Sequence, residues 1–349
     1  MLASALLAAG CSSDDGGGGS TSLDDVVAAT EGLSGSARLD RLAELAQEEG
    51  AELSLYTSGT DEIVSEIVEG FEDEFDIDVA IYRARDETLF TRLVEEHDAG
   101  FAGSDAVITN ALSMIRLREK ETIVPYAVAE SGLLEGTTHD GWVSVSFQRY
   151  VAAWRDGTEP PTSWEDFADS RFADRVAIEA GDYDWYSALK TYWVEEKGKS
   201  EEEAQRLFEA IAANAKAVQG HSLLLELVVT GEVDAATSNF EHLVARKIEE
   251  GAPVEWKPAV EPTFLGPDGL GIGADAPHPA TAALFVEWAL TKDGQQAFVD
   301  AGYTSVRRDL QHAADIAAVP IDVEALAADE ERWQSEWEAI VSGATPVES

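Results

Sequence analysis

From Ala51 onward, short apolar runs alternate with segments whose apolar residues recur every three or four positions. Ala51–Tyr56 reads as a strand, and Asp61–Phe75 carries Ile63, Ile67 and Phe71 at helical spacing, with Val64, Val68 and Phe75 beside them. Asp78–Tyr82 and Asp105–Thr109 read as further strands, followed by helices over Glu87–Glu96 and Ala111–Glu119. The rhythm resumes with Arg175–Ala180 as strand and with helices over Tyr186–Glu196 and Glu201–Ala215. Ser200 and Glu203 form a capping-box pair before the second of these. Val233–Ser238 is then a strand and Phe240–Glu250 a helix. Such alternation predicts parallel βαβ units and an α/β fold.

Two stretches break the rhythm. Trp142–Trp154 is extended over more than twice the typical strand of about 5–6 residues. At ~3.3 Å per residue it reaches about 40 Å, enough to leave one lobe and enter another. Val254–Pro262 is again extended and is followed by the glycine-rich run 266–273. These read as outward and return crossovers around an inserted segment. The expected division is a first lobe from 51–148 and 263–349 and a second, inserted lobe from 149–262. Trp333, Trp337 and Ile340 at helical spacing predict an amphipathic C-terminal helix packed on the first lobe.

Composition narrows the function. The chain has 349 residues, a length that suits about two domains, and 45% are hydrophobic, which argues against disorder. Against 68 Asp and Glu stand 24 Lys and Arg, a formal charge of −44 that argues against nucleic acid as a partner. One cysteine leaves no internal disulfide and no multi-cysteine metal centre. That cysteine, Cys11, ends the apolar run Leu2–Gly10, and Leu7-Ala8-Ala9-Gly10-Cys11 resembles a bacterial lipobox. Residues 1–11 then read as a lipoprotein signal segment with Cys11 the lipidated residue. The Gly/Ser/Asp-rich residues 12–22 read as a flexible tether holding the body outside the cytoplasm, near a membrane.

Enzyme signatures fail in detail. Gly198-Lys199-Ser200 imitates the end of a P-loop, but Trp193 stands where its first glycine belongs. The run from Gly269 to Ala274 fits a dinucleotide fingerprint literally, yet Pro277 and Pro279 follow, so it reads as a glycine-rich strand. No constellation suits catalysis. Polar residues do recur where strands give way to helices: Thr57, Ser58 and Thr60; Thr109 and Asn110; Asp182, Tyr183, Asp184 and Tyr186; His221 and Ser222; Ser238 and Asn239. Each fits ordinary helix capping. Together, in two lobes, they fit a ligand crevice at the carboxyl ends of strands, where helix N-termini favour anions.

At these stations the chain resembles the ferric-iron-type extracellular solute-binding proteins. Leu55-Tyr56-Thr57-Ser58, Asp73–Val79, Ser104-Asp105-Ala106-Val107, Pro161–Phe167, Ala276–Phe285 and Thr291–Gln296 carry the resemblance in consistent order. It implies a two-lobed, hinge-closing type II periplasmic-binding-protein architecture and a monomer that delivers cargo to the permease subunits of an ABC importer. The family's iron-binding His falls at Thr60, its Glu at Asn110, and its Asn-His-Tyr-Tyr at Asn239-Phe240-Glu241-His242, so the matched ligands are changed in kind.

Two kinds of cargo follow. One is ferric iron or a ferric complex, implied by the family. The other is a small anionic organic solute such as a phosphonate, sugar phosphate or carboxylate. No cofactor is expected, Fe(III) being possible only as cargo. The candidate ligand-binding residues are Thr57, Ser58, Thr60, Asn110, Arg149, Tyr183, Trp185, Tyr186, Ser222 and Asn239. Glu241 and His242 are candidate hard-cation ligands. Arg149, on the outward crossover, would clamp a carboxylate or phosphate.

Overall fold

The computed structural model describes residues 21–134, 136–310 and 315–346. Cys11 and the tether as far as Ser20 lie outside the described residues. Two helices precede the alternating region, α1 (Leu23–Ala29) and α2 (Ser36–Glu49). Ser22 and Asp25 cap α1 reciprocally. Val26, Leu42 and Ala46 seal the apolar flank of α10 (Pro279–Leu290).

The first lobe is β1 (Glu52–Thr57), α3 (Asp61–Phe75), β2 (Asp78–Arg83), α4 (Asp86–Asp98), β3 (Ala106–Asn110) and α5 (Ala111–Glu119), with the two-residue β4 (Ile123–Val124) beyond. β1 pairs in parallel with both β2 and β3. The second lobe repeats the plan with β6 (Val176–Glu179), α6 (Tyr183–Thr191), α7 (Glu201–Ala213), β7 (Ala215–Val218), α8 (His221–Thr230), β8 (Ala235–Phe240) and α9 (Glu241–Glu249). There β6 lies parallel between β7 and β8. Ser200 and Glu203 make the expected reciprocal cap on α7.

β5 (Val143–Arg155) and β10 (Thr263–Gly273) join the lobes. They pair antiparallel with each other; β5 also carries β8 and the short β9 (Val254–Glu255), and β10 carries β3, β4 and β11 (Ala318–Pro320). The stretch read as the outward crossover is β5. The return crossover is Thr263–Gly273, because Val254–Pro262 contributes only β9 to the sheet. The hydrogen-bonded path is also continuous, β12-β7-β6-β8-β5-β10-β3-β1-β2, where β12 is Thr345–Pro346. The two lobes are therefore not separate sheets. Each linking strand is long enough to pair with both halves, and the register shifts at Val151/Ala153 and at Asp268/Gly269.

The glycines of β10 are there for packing. A Cβ on Gly269 would come within 2.5 Å of Met114 and 2.6 Å of Trp142, so α5 and Trp142 rest directly on the strand. A helix nevertheless opens soon afterwards, with Pro279 in the first turn of α10, where its missing N–H costs nothing. Its free N–H groups at Ala280 and Thr281 are taken by Glu49.

After α11 (Lys292–Asp300) and α12 (Val323–Ala328) comes the C-terminal helix α13 (Glu330–Val341). It packs on the second lobe, not the first. Trp337 stacks on Tyr186 at 5.3 Å between ring centres, Glu336 meets buried Lys190 at 2.7 Å, and β12 pairs in parallel with β7. Helical spacing shows that a face is apolar but not which lobe receives it.

Candidate functional site

The carboxyl ends of β1 and β3 in one lobe, and of β6, β7 and β8 in the other, face a cleft of about 950 Å³. That is the size of a small-molecule site. Its first-lobe wall is made by the predicted Thr57, Ser58, Thr60 and Asn110. Thr57 accepts from the Gly59 N–H (3.0 Å), and Ser58 reaches Thr109 (3.1 Å), which donates to Asp86 (2.8 Å). Asn110 caps α5 through the Ser113 N–H at 2.9 Å. Thr60 opens α3 and is exposed, without a side-chain capping bond. Three cations not singled out in the sequence, Arg83, Arg85 and Arg116, complete this wall; Arg116 is paired with Glu87 at 2.7 Å, and Arg83 donates to the Gly59 carbonyl at 3.2 Å.

The second-lobe wall is carboxyl-rich. Glu179 at the end of β6 accepts from the N–H groups of Gly181 and Gly220, the latter at 2.8 Å. Asp182 lies 3.1 Å from His221 Nε2. Asp184 accepts from the Tyr150 hydroxyl (2.6 Å) and the Trp185 N–H (2.7 Å). On β10, Asp268 accepts from Gln148 (2.8 Å) and Ser146 (3.1 Å). Burial dominates their titration. It pushes the Glu179 carboxyl up to about 7, with neighbouring Asp182 adding to the effect, and Asp268 likewise to about 7. Asp182 and Asp184 are raised for the same reason.

The rings near these acids lean on one another. His221 stacks on Phe240 at 3.8 Å, Phe240 on His242 at 5.7 Å, and Tyr303 lies 5.0 Å beyond. Burial holds both imidazoles below their ordinary range, His242 at about 3, so they are neutral at physiological pH.

Tyr183, Ser222 and His242 also line the cleft. Ser222 is exposed in the first turn of α8, and Tyr183 donates to Glu330 at 2.7 Å. Five predicted residues do not line it. Trp185 and Tyr186 are fully buried among Phe208 and Trp337, the apolar face of α6 having gone to the core. Asn239 is fully buried at the end of β8, its Oδ1 on the Phe240 N–H. Arg149 is spent internally, with Glu241 at 3.0 Å and Thr263 at 2.8 Å, so Glu241 is an ion-pair partner and not a cation ligand beside His242. Among the described residues no group of three or more His, Cys, Asp or Glu is placed to hold a metal ion in this conformation.

Glu179 and Asp268 escaped sequence reasoning. Glu179 carried a usable signal, a carboxylate closing the apolar run Val176–Ile178; Gly-Pro-Asp-Gly around Asp268 reads as a turn and carried none.

A two-lobed α/β body with a polar cleft at its strand ends defines a binding protein. The chain belongs to the bacterial extracellular solute-binding proteins, whose family pattern matches residues 152–336. It is 23% identical over 256 residues to the Fe(3+)-binding periplasmic protein of Serratia marcescens, covering 69% of this chain and 74% of that one. Its fold is similar to that of iron-bound HitA from Pseudomonas aeruginosa (TM-score 0.67, 19% identity, 82% of this chain and 99% of that one). It is similar too to AfuA from Actinobacillus pleuropneumoniae with fructose-6-phosphate bound (TM-score 0.70, 17% identity, 83% and 98%). Among the described residues no helix is long and apolar enough to cross a membrane.

Proposed function

We propose that this protein is the cargo-capturing subunit of an ABC importer and that its cargo is ferric iron carried as a complex with a small oxygen-rich chelator. The observation that carries the reading is the opposition of the two walls: Glu179, Asp182 and Asp184 on one lobe, Arg83, Arg85 and Arg116 on the other. Carboxylates and phenols suit a hard cation, and guanidinium groups suit the carboxylates of its chelator. A cleft of about 950 Å³ also exceeds what a bare ion fills. The Fe(3+)-binding relative supports the metal.

Equilibrium dialysis near neutral pH against ferric citrate, citrate and fructose 6-phosphate tests it. Ferric citrate should bind at one equivalent and at least about tenfold more tightly than either anion, a difference of about 1.4 kcal/mol. A second reading, an anionic organic solute alone, is favoured by the arginine wall and by the sugar phosphate in AfuA. It would prevail if fructose 6-phosphate or citrate bound as tightly as the ferric complex.

The run from Leu7 to Cys11 supports a lipid anchor on Cys11, with the Gly/Ser/Asp-rich residues that follow as the tether. Cys11→Ala should move the protein from the membrane fraction to the soluble one; unchanged fractionation would rule the anchor out.

A further inference from the structure

We propose that Glu179 is a specificity-determining residue that fills, from within, the anion position of the second-lobe wall, so that a cargo's anionic groups are admitted only on the first-lobe side. β6 and β7 are parallel neighbours, which brings the start of α8 beside the end of β6. Gly220, the residue before α8, has no side chain to cap the helix; at φ +96 a larger residue there would be strained. A ten-residue helix with such a start presents free N–H groups and a positive dipole end.

In this protein the first of those N–H groups is already taken. One Glu179 oxygen takes the Gly220 N–H at 2.8 Å and the other takes the Gly181 N–H, while Glu179, Gly181 and Gly220 all line the cleft. Glu49 does the same at the start of α10, but Ala280 and Thr281 there are buried outside the cleft, so that cap serves only the fold. At Glu179 the cap stands where cargo passes. A phosphate or carboxylate arriving there meets a filled donor pair, with the carboxyls of Asp182 and Asp184 also lining that wall. Of the opposite wall's arginines, Arg116 is paired with Glu87 at 2.7 Å, and Arg83 and Arg85 remain. The inference rests on the reading that the cleft is the cargo site.

Calorimetric titration with inorganic phosphate tests it on wild type, Glu179→Ala, Glu179→Ala/Asp182→Asn and Glu179→Gln. The Ala variants vacate the two N–H groups, and the double variant also removes the neighbouring carboxyl. Saturable phosphate binding at least about tenfold tighter than wild type is expected in the double variant, with a smaller gain in the single one. Glu179→Gln keeps an amide oxygen on the Gly220 N–H and should stay at the wild-type level. Equal phosphate affinity in wild type and the double variant would overturn the proposal. So would a gain in Glu179→Gln as large as in Glu179→Ala, because charge alone would then be the barrier. If the Ala variants lack a cooperative thermal transition, Glu179→Ser, whose side chain is too short to reach the Gly220 N–H and so leaves the position vacant, is read by the same outcomes. Ferric citrate binding to wild type is scored separately. Its failure would remove the ferric cargo and leave the phosphate result to judge Glu179.

Discussion

Glu179 and Asp268 hold their protons to about pH 7 in the folded protein, whereas in an unfolded chain they release them near 4.5 and 3.8. Between those limits the native state binds more protons than the unfolded one. Stability is then full below about pH 4 and is lost as pH rises through about 7. The −44 formal charge acts in the same direction. Thermal melts of the cargo-free protein should show a falling midpoint from about pH 5 to about pH 7.5, and Glu179→Gln with Asp268→Asn should flatten the fall. A midpoint that rises over this window would contradict the assignment. A cation entering the cleft displaces those protons, so ferric cargo should bind more tightly toward the upper end of the same window. Arg149 makes a separate prediction. It is buried against Glu241, and Arg149→Met leaves that carboxylate without its cation, at a cost of about 3–5 kcal/mol in urea unfolding. Loss of cargo affinity at unchanged stability would instead mean that Arg149 touches cargo.

At the scale of elements, α13 is the piece whose placement matters most. Its Trp337 joins Trp185, Tyr186 and Phe208 in one aromatic cluster, and Gln334, Trp337 and Glu338 also reach the cleft. Trp337→Ala should cost about 3–5 kcal/mol and loosen the second-lobe wall, visible as faster hydrogen exchange in α6 and α13 together. An effect confined to α13 would show that the helix is only an appendage. This element also marks how far sequence reasoning reaches. The helices Asp61–Phe75 and Ala111–Glu119 emerge at their predicted bounds, because each has one apolar face and a clear end. The partner of a face is a matter of distant packing. So helical spacing alone places α13 on the wrong lobe, and Trp185 and Tyr186, expected at the cleft, turn inward to meet it. On the first lobe, reasoning from strand-to-helix junctions found Thr57, Ser58, Thr60 and Asn110, since backbone direction alone places them. It missed three arginines. Arg83 and Arg85 stand at the same kind of junction, where β2 gives way to α4, but their long cationic side chains are not the capping types that mark one; Arg116 reaches the cleft from within α5.

For the whole molecule, the continuous sheet bears on how the cleft can close. Among the described residues β5 and β10 alone carry the ladder between lobes; their register shifts at Asp268/Gly269 where they pair with each other, and β5 shifts at Val151/Ala153 where it pairs with β8. These bulges are where bending is expected, in the manner of hinge closure around a ligand. Small-angle scattering should show a smaller radius of gyration with saturating ferric citrate; an unchanged radius at full occupancy would mean that cargo binds to one lobe of a fixed cleft. Closure would exclude water and strengthen each contact between cargo and the two walls. The most direct test of the opposed-wall account is the position of the iron itself, from anomalous scattering by crystals grown with ferric citrate. The account predicts one iron peak inside the cleft, on the side of Asp182 and Asp184, with the chelator's carboxylates against Arg83, Arg85 or Arg116. An iron peak outside the cleft, or citrate in the cleft with no iron, would contradict it.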